Sequence, residues 1–212
     1  ALAVALKISG SFLNWSVLGS LAAEITVLTG VLTADFTVPW MLRFLKYLNE
    51  IRRELYHPIR SQFYPTMPIS LILVGIGLQR NFTVFPVLVQ QVSLGLFFLG
   101  SAGIFGFGFL LSKILFTNTN IEIKHGVFAW FIPPVSHIIV PVLGFMLLAS
   151  GLSGALAQTV YIISLSGLGI GTFMFLFLTP VILYRYAYED LPDSKLTPTF
   201  LIGIAPTAVL II

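Results

Sequence analysis

VFAWFIPPVSHIIVPVLGFMLLAS, residues 127–150, decides the fold class. The stretch carries no Asp, Glu, Lys or Arg, and it exceeds the ~20 apolar residues needed to cross a bilayer as a helix. It lacks the strict alternation of a barrel strand and runs too long for one. A segment in lipid must satisfy its own backbone polar groups, so it is helical. The same reading extends outward to 15–44, 62–78, 84–111 and 159–184, with partial spans at 1–8 and 198–212. The expected fold is all-α: one polytopic transmembrane helical bundle, a single domain over 1–212, truncated at both ends.

Composition agrees. Of 212 residues 57% are hydrophobic and only 9% charged, whereas soluble domains carry about 25% charged residues. Mean hydropathy is +0.99. Cysteine is absent and the net charge is only +3, which removes disulfides and thiolate metal sites and gives no nucleic-acid signature. The chain opens on ALAVAL and closes on AVLII, with no basic region or cleavage site of a leader. Both ends read as cuts within membrane helices of a longer protein.

Basic residues set the orientation. If the loop between the second and third spans is cytoplasmic, Arg43, Lys46, Arg52, Arg53, Arg60, Lys113, Lys124, Arg185 and Lys195 share that side. Lys7 and Arg80 lie opposite, as the positive-inside rule requires. Trp15 and Trp40 suit interfacial anchors of the second span.

Prolines concentrate in odd-numbered spans: Pro65 and Pro68, then Pro133, Pro134 and Pro141, then Pro198 and Pro206. Each removes a backbone donor, and the freed carbonyl needs protein or a wet cavity. Odd spans are therefore expected inside. At ~100° per residue, Thr66, Ser70 and Gly77 share one face. Pro133, His137 and Gly144 form a second stripe, and Thr199, Gly203 and Pro206 a third. These are the candidate pore-lining residues; close helix packing by small residues is the alternative. His57, Arg60, Lys124 and His125 are candidates for the cytoplasmic mouth. Even spans, with phenylalanines beside a glycine seam, suit lipid-facing helices.

Ionisable residues inside membranes are functional suspects. Glu24 and Asp35 on the second span read as structural or gating partners of neighbouring helices. His137 reads either as a neutral histidine bonded to a helix carbonyl or as a titrating group in the conduit. No phosphate loop, metal-ligand spacing or Ser/His/Asp set is evident; no catalytic, metal or cofactor site is expected. Small anions and the lipid bilayer are the expected partners. An intramembrane enzyme acting on lipid-like substrates and a non-transporting scaffold stand as alternatives.

Three motifs then point to a family. ELYHPIRSQFYP (54–65), WFIPPV through PVLG (130–144) and LTPT through IAP (196–206) resemble, in order, the third, fifth and seventh helices of the tellurite-resistance/dicarboxylate transporter family. That family includes plant slow anion channels and fungal malate permeases and sulfite pumps. The resemblance implies ten helices in five hairpins, odd helices lining a pore, a homotrimer in the plasma membrane, and transport of malate-like dicarboxylates, inorganic anions or sulfite by a channel or a proton-linked carrier. It also implies a pore-plugging phenylalanine on a ninth helix, and that helices eight to ten lie outside this sequence.

Overall fold

The computed structural model describes residues 2–13 and 15–210. Ala1, Ile211 and Ile212, which the expected first and last spans include, lie outside the described residues, as does Asn14. The α-helices are α1 (Leu2–Phe12), α2 (Ser16–Lys46), α3 (Leu48–Leu55), α4 (Thr66–Asn81), α5 (Pro86–Thr117), α6 (Ile132–Ala149), α7 (Gly154–Tyr188) and α8 (Ala205–Leu210). Five segments are long and apolar enough to cross a membrane: Val17–Lys46, Arg60–Asn81, Pro86–Thr117, Phe128–Ala149 and Gly154–Tyr188. Among the described residues there is no strand.

Two helices outrun the apolar stretches that announce them. α5 continues to Thr117 and α7 runs from Gly154 to Tyr188, because a formed helix keeps adding a hydrogen bond per residue after hydrophobicity ends. α3 does not stand out by apolarity at all. It is a short charged segment whose Leu48, Ile51 and Leu55 recur at helical spacing; Ile51 is buried while Arg52 and Arg53 are exposed.

The prolines leave a common mark on three spans. Each starts as a 3₁₀ segment at the basic end and turns α-helical next to a proline: Thr66 follows Pro65, while Ile132 and Ala205 precede Pro133 and Pro206. The pieces are Arg60–Phe63 before α4, Phe128–Phe131 before α6, and Ser194–Ile204 before α8. Proline is tolerated in a first helical turn, whose N–H groups have no partner anyway. Hydroxyls then serve the disturbed carbonyls: Thr66, Thr199 and Thr207 donate to the carbonyl three residues back. On α2, α5 and α7 the threonine bonds reach four residues back, as from Thr29, Thr117 and Thr159. Pro39 and Pro180 instead sit inside α2 and α7.

Packing separates the helices into two layers. The inner row runs α1, α4, α6, α8, each touching the next. α2 packs on α1 and α4, α5 on α4 and α6, and α7 on α6. Within the apolar windows, 72% of the Phe128–Ala149 span and 56% of the Arg60–Asn81 span are buried, against 11%, 33% and 22% for the α2, α5 and α7 spans. The core at the layer junction holds Ile72, Phe97, Ile104, Val140, Leu143 and Leu147. Lipid is as apolar as these side chains, so close packing rather than escape from water holds the layers together.

Glycines make that approach possible. A Cβ at Gly100 would stand 2.7 Å from Ile72 Cδ1, and one at Gly171 would stand 2.7 Å from the Pro134 carbonyl oxygen and 2.8 Å from the Ile138 amide nitrogen. Gly95, Gly106 and Gly169, on the other faces of α5 and α7, have nothing within 4 Å. The phenylalanines split the same way. Phe97 is fully buried and Phe131 packs on Phe175, whereas Phe109 and Phe173 are 77% and 70% exposed. Gly151 and Gly154, with φ of 93° and 69°, shape the turn between α6 and α7, a backbone region that costs other residues energy.

Candidate functional site

Alternating helix direction brings the C-termini of α2, α5 and α7 to the same end as the 3₁₀ lead-ins of α4, α6 and α8. This end carries the nine basic residues grouped by the sequence. Hydrogen bonds tie it together around the turn at residues 56–58. Asn118 Nδ2 donates to the Tyr56 carbonyl at 3.2 Å, and Trp130 Nε1 donates to the Pro58 carbonyl at 3.1 Å. Gln62, buried, donates to the same Pro58 carbonyl at 3.4 Å.

The four mouth candidates fare differently. His57 Nδ1 accepts from the backbone N–H groups of Ile59 and Arg60 at 3.2 and 3.3 Å, so it caps its own turn. His125 Nδ1 accepts from the Glu122 N–H at 3.1 Å, in a capping box. Lys124 pairs with Glu122 at 2.8 Å on an exposed surface. Arg60 is exposed, and among the described residues its guanidinium makes neither an ion pair nor a hydrogen bond. Of the four, it is the one whose charge faces solution without an internal partner.

A three-residue network next to Arg60 escaped the sequence reading. Arg43 Nη2 donates to both Glu54 oxygens at 3.1 and 3.0 Å, and the Tyr64 hydroxyl donates to Glu54 Oε2 at 2.8 Å. It clamps the end of α2 and α3 onto the start of the third span. The Tyr64 hydrogen bond, followed by the Arg43 guanidinium, holds the Glu54 carboxyl below the usual carboxylate range. Only the three-dimensional turn of α3 brings these residues together.

The stripes also part company. On α4, Pro68, Ile72 and Gly75 face α5 and α6, and Thr66, Ser70 and Leu73 lie about 140–160° around the helix from Pro68. Thr66 is exposed and Ser70 half-buried, each donating to a carbonyl of its own helix. Gly77 abuts Thr26 of α2, where a Cβ would stand 2.9 Å from Thr26 Cγ2.

On α6 the stripe faces the outer layer. His137, 1% exposed, lies against Gly108 of α5, its ring 5.2 Å from the Phe105 ring. Its Nδ1 bonds the Pro133 carbonyl at 2.7 Å; a carbonyl only accepts, so Nδ1 carries the proton. Gly144 meets Ser164 of α7, and Pro133 is buried. The half-buried residues of the opposite face are Val135, Val142 and Met146, about 140–180° from His137. Beside α8, Thr199 and Pro206 are buried and Gly203 lies against the Phe128 ring. The structure thus does not bring His137 and Gly144 onto one surface with Thr66 and Ser70.

Glu24 and Asp35 are exposed on α2, and among the described residues neither forms an ion pair with a neighbouring helix. The partner role expected for them finds no contact here.

Comparison with known proteins matches these features to one family. The family model described as voltage-dependent anion channel (SLAC1) matches residues 1–212. Two proteins of Methanocaldococcus jannaschii, each named an uncharacterized transporter, are 30% identical to the chain over 173 and 175 residues. Each alignment covers 81% of this chain and 48% of the relative, so the chain spans about half the length of the curated relatives it matches. With the two-layer helical bundle and the proline-marked third, fifth and seventh spans in place, the chain belongs to the voltage-dependent anion channel family.

Proposed function

We propose that this chain builds part of the wall and the cytoplasmic mouth of a conduit for small anions. The observation that carries the reading is the combination found on the third span: a buried, inner helix whose face turned away from its α5 partner presents Thr66 and Ser70, beneath an Arg60 that has no internal partner. A conduit wall of this kind carries no fixed charge, and the Thr66 and Ser70 hydroxyls donate to a passing anion only by turning from the helix carbonyls they bond. An ion binds weakly enough to leave, and selectivity comes from width and dipoles. Val135, Val142 and Met146 supply the α6 part of the same wall, in place of the His137 stripe, and Thr199 borders it beside α8.

The basic end is the cytoplasmic end in this proposal, following the positive-inside rule. Arg60 raises the local anion concentration there by its field. Conducted species are C4-dicarboxylates such as malate, inorganic anions or sulfite, carried by a channel or a proton-linked carrier rather than transformed by an enzyme. Residence in the plasma membrane and assembly as a homotrimer with one conduit per subunit complete the proposal; both rest on the family resemblance. The test is flux through the full-length protein in liposomes. Chloride or malate flux with exclusion of potassium supports the reading, and cation-selective current overturns it.

A further inference from the structure

Arg185, near the end of α7, stands apart from the other basic residues of its end because it is buried, with 3% of its surface exposed. Ile182, one turn earlier, and Val127 belong to the apolar cluster beside it. Its Nε donates to the Lys124 carbonyl at 3.4 Å, and its guanidinium carbon lies 4.8 Å from the centre of the Tyr186 ring. The Ile123–His125 turn covers it; a Cβ on Gly126 would stand 3.9 Å from its Cβ and Cγ. Nη1 is buried and has no hydrogen-bond partner among the described residues.

A guanidinium taken out of water needs an anion or several acceptors to offset its desolvation. One long hydrogen bond and one aromatic face fall short of that. No nearby acid answers: Glu122 is engaged by Lys124, and Glu189 and Asp190 are exposed and make no ion pair among the described residues. The planar fork of arginine matches the paired oxygens of a carboxylate or phosphate.

We propose that Arg185 and the 123–126 turn form an oxyanion-binding site at the basic end, taking a phosphate or carboxylate group from a soluble anion or from a lipid headgroup. The site stands whether or not the bound anion is moved, because its test measures binding and not flux. Thermal unfolding of the full-length protein in neutral detergent is followed while sodium phosphate replaces sodium chloride at constant ionic strength. The expected result is a saturable rise in the midpoint for the parent protein, with apparent affinity at least tenfold weaker in Arg185→Gln. Arg185→Lys, which keeps the charge but not the fork, should lie between. Arg52→Gln, an equal change of net charge on the exposed face of α3, should leave the rise unchanged.

The lipid source is separated by repeating the titration in phosphatidylcholine nanodiscs with and without phosphatidic acid. A rise caused by phosphatidic acid that abolishes any further rise with phosphate identifies a headgroup; additive rises identify a soluble anion. If neither phosphate nor phosphatidic acid stabilises the parent protein, the proposal is overturned. It is also overturned if Arg185→Lys responds as the parent does. Both readings stand even if Arg185→Gln does not fold.

Discussion

α6 and α7 are antiparallel neighbours of comparable apolarity, yet 72% of the apolar window of one span is buried against 22% of the other. In water such a difference would be written in hydrophobicity; in lipid it is not, because the solvent is itself apolar. What separates them is the distribution of small and cyclic residues. α6 carries Pro133, Pro134 and Pro141 and is walled by neighbours on both sides. α7 carries Gly167 and Gly171 on the single face that meets α6, and bulky residues such as Phe173 and Leu176 elsewhere. Inner and outer position is therefore encoded by where backbones can approach and where carbonyls are freed.

The most forceful way to break this contrast is on α7 itself. Gly171→Val drives side-chain atoms into the backbone of Pro134 and Ile138, which cannot rotate away. It should cost about 3 kcal/mol and most of the folded yield, read by thermal unfolding of the full-length protein. Gly169→Val, on the same helix but facing open space, should stay within about 0.5 kcal/mol. Equal losses for the two variants would erase the distinction between faces.

A smaller effect sharpens the contrast at the basic end. Glu54→Gln removes the charge that ties α2 and α3 to the inner span, and should cost about 1 kcal/mol for a half-exposed network. Because the folded-state pKa of Glu54 is depressed, its contribution is present above the ordinary carboxyl value of 4.5 and is lost as pH falls through the lower folded value. The stability difference between parent and variant should therefore be flat at neutral pH and close below pH 4.5. A difference that grows on acidification would contradict the network.

The smallest expected effect belongs to Arg60→Gln. A unit charge at ~10 Å in water is worth ~0.4 kcal/mol, about a twofold change in anion flux at low ionic strength. At about 1 M salt, where the screening length is about 3 Å, the two proteins should conduct alike. Flux normalised to folded protein in liposomes reads this directly, and identical flux at both salts would remove Arg60 from the mechanism.

The long spans and their alternation were legible in the sequence because charge is excluded from lipid and proline is placed where carbonyls are freed. The faces were only partly legible. Helical spacing grouped Pro133, His137 and Gly144 on one face, but a stripe of small residues marks either a lumen or a close helix contact, and spacing alone does not distinguish them. Against Gly108 and Ser164 the α6 stripe is a contact; on α4, Gly77 meets Thr26 of α2, while Thr66 is exposed and Ser70 half-buried. The Arg43–Glu54–Tyr64 network and the burial of Arg185 left no periodic trace, because each depends on how separate segments turn at the basic end. His57 and His125 read as mouth residues by position, yet their ring nitrogens serve the turns that hold them.

The sharpest test asks which face of the inner spans meets the moving ion. In a cysteine-free full-length background, Ser70→Cys and Val142→Cys are compared with Phe109→Cys in liposomes, using a negatively charged thiol reagent during anion flux. Modification of Ser70→Cys and Val142→Cys should block flux, while Phe109→Cys, 77% exposed on α5 and lipid-facing under the proposed conduit, should remain unmodified and conducting. Block through Phe109→Cys with Ser70→Cys and Val142→Cys untouched would place the anion path outside the inner row and contradict the proposed conduit.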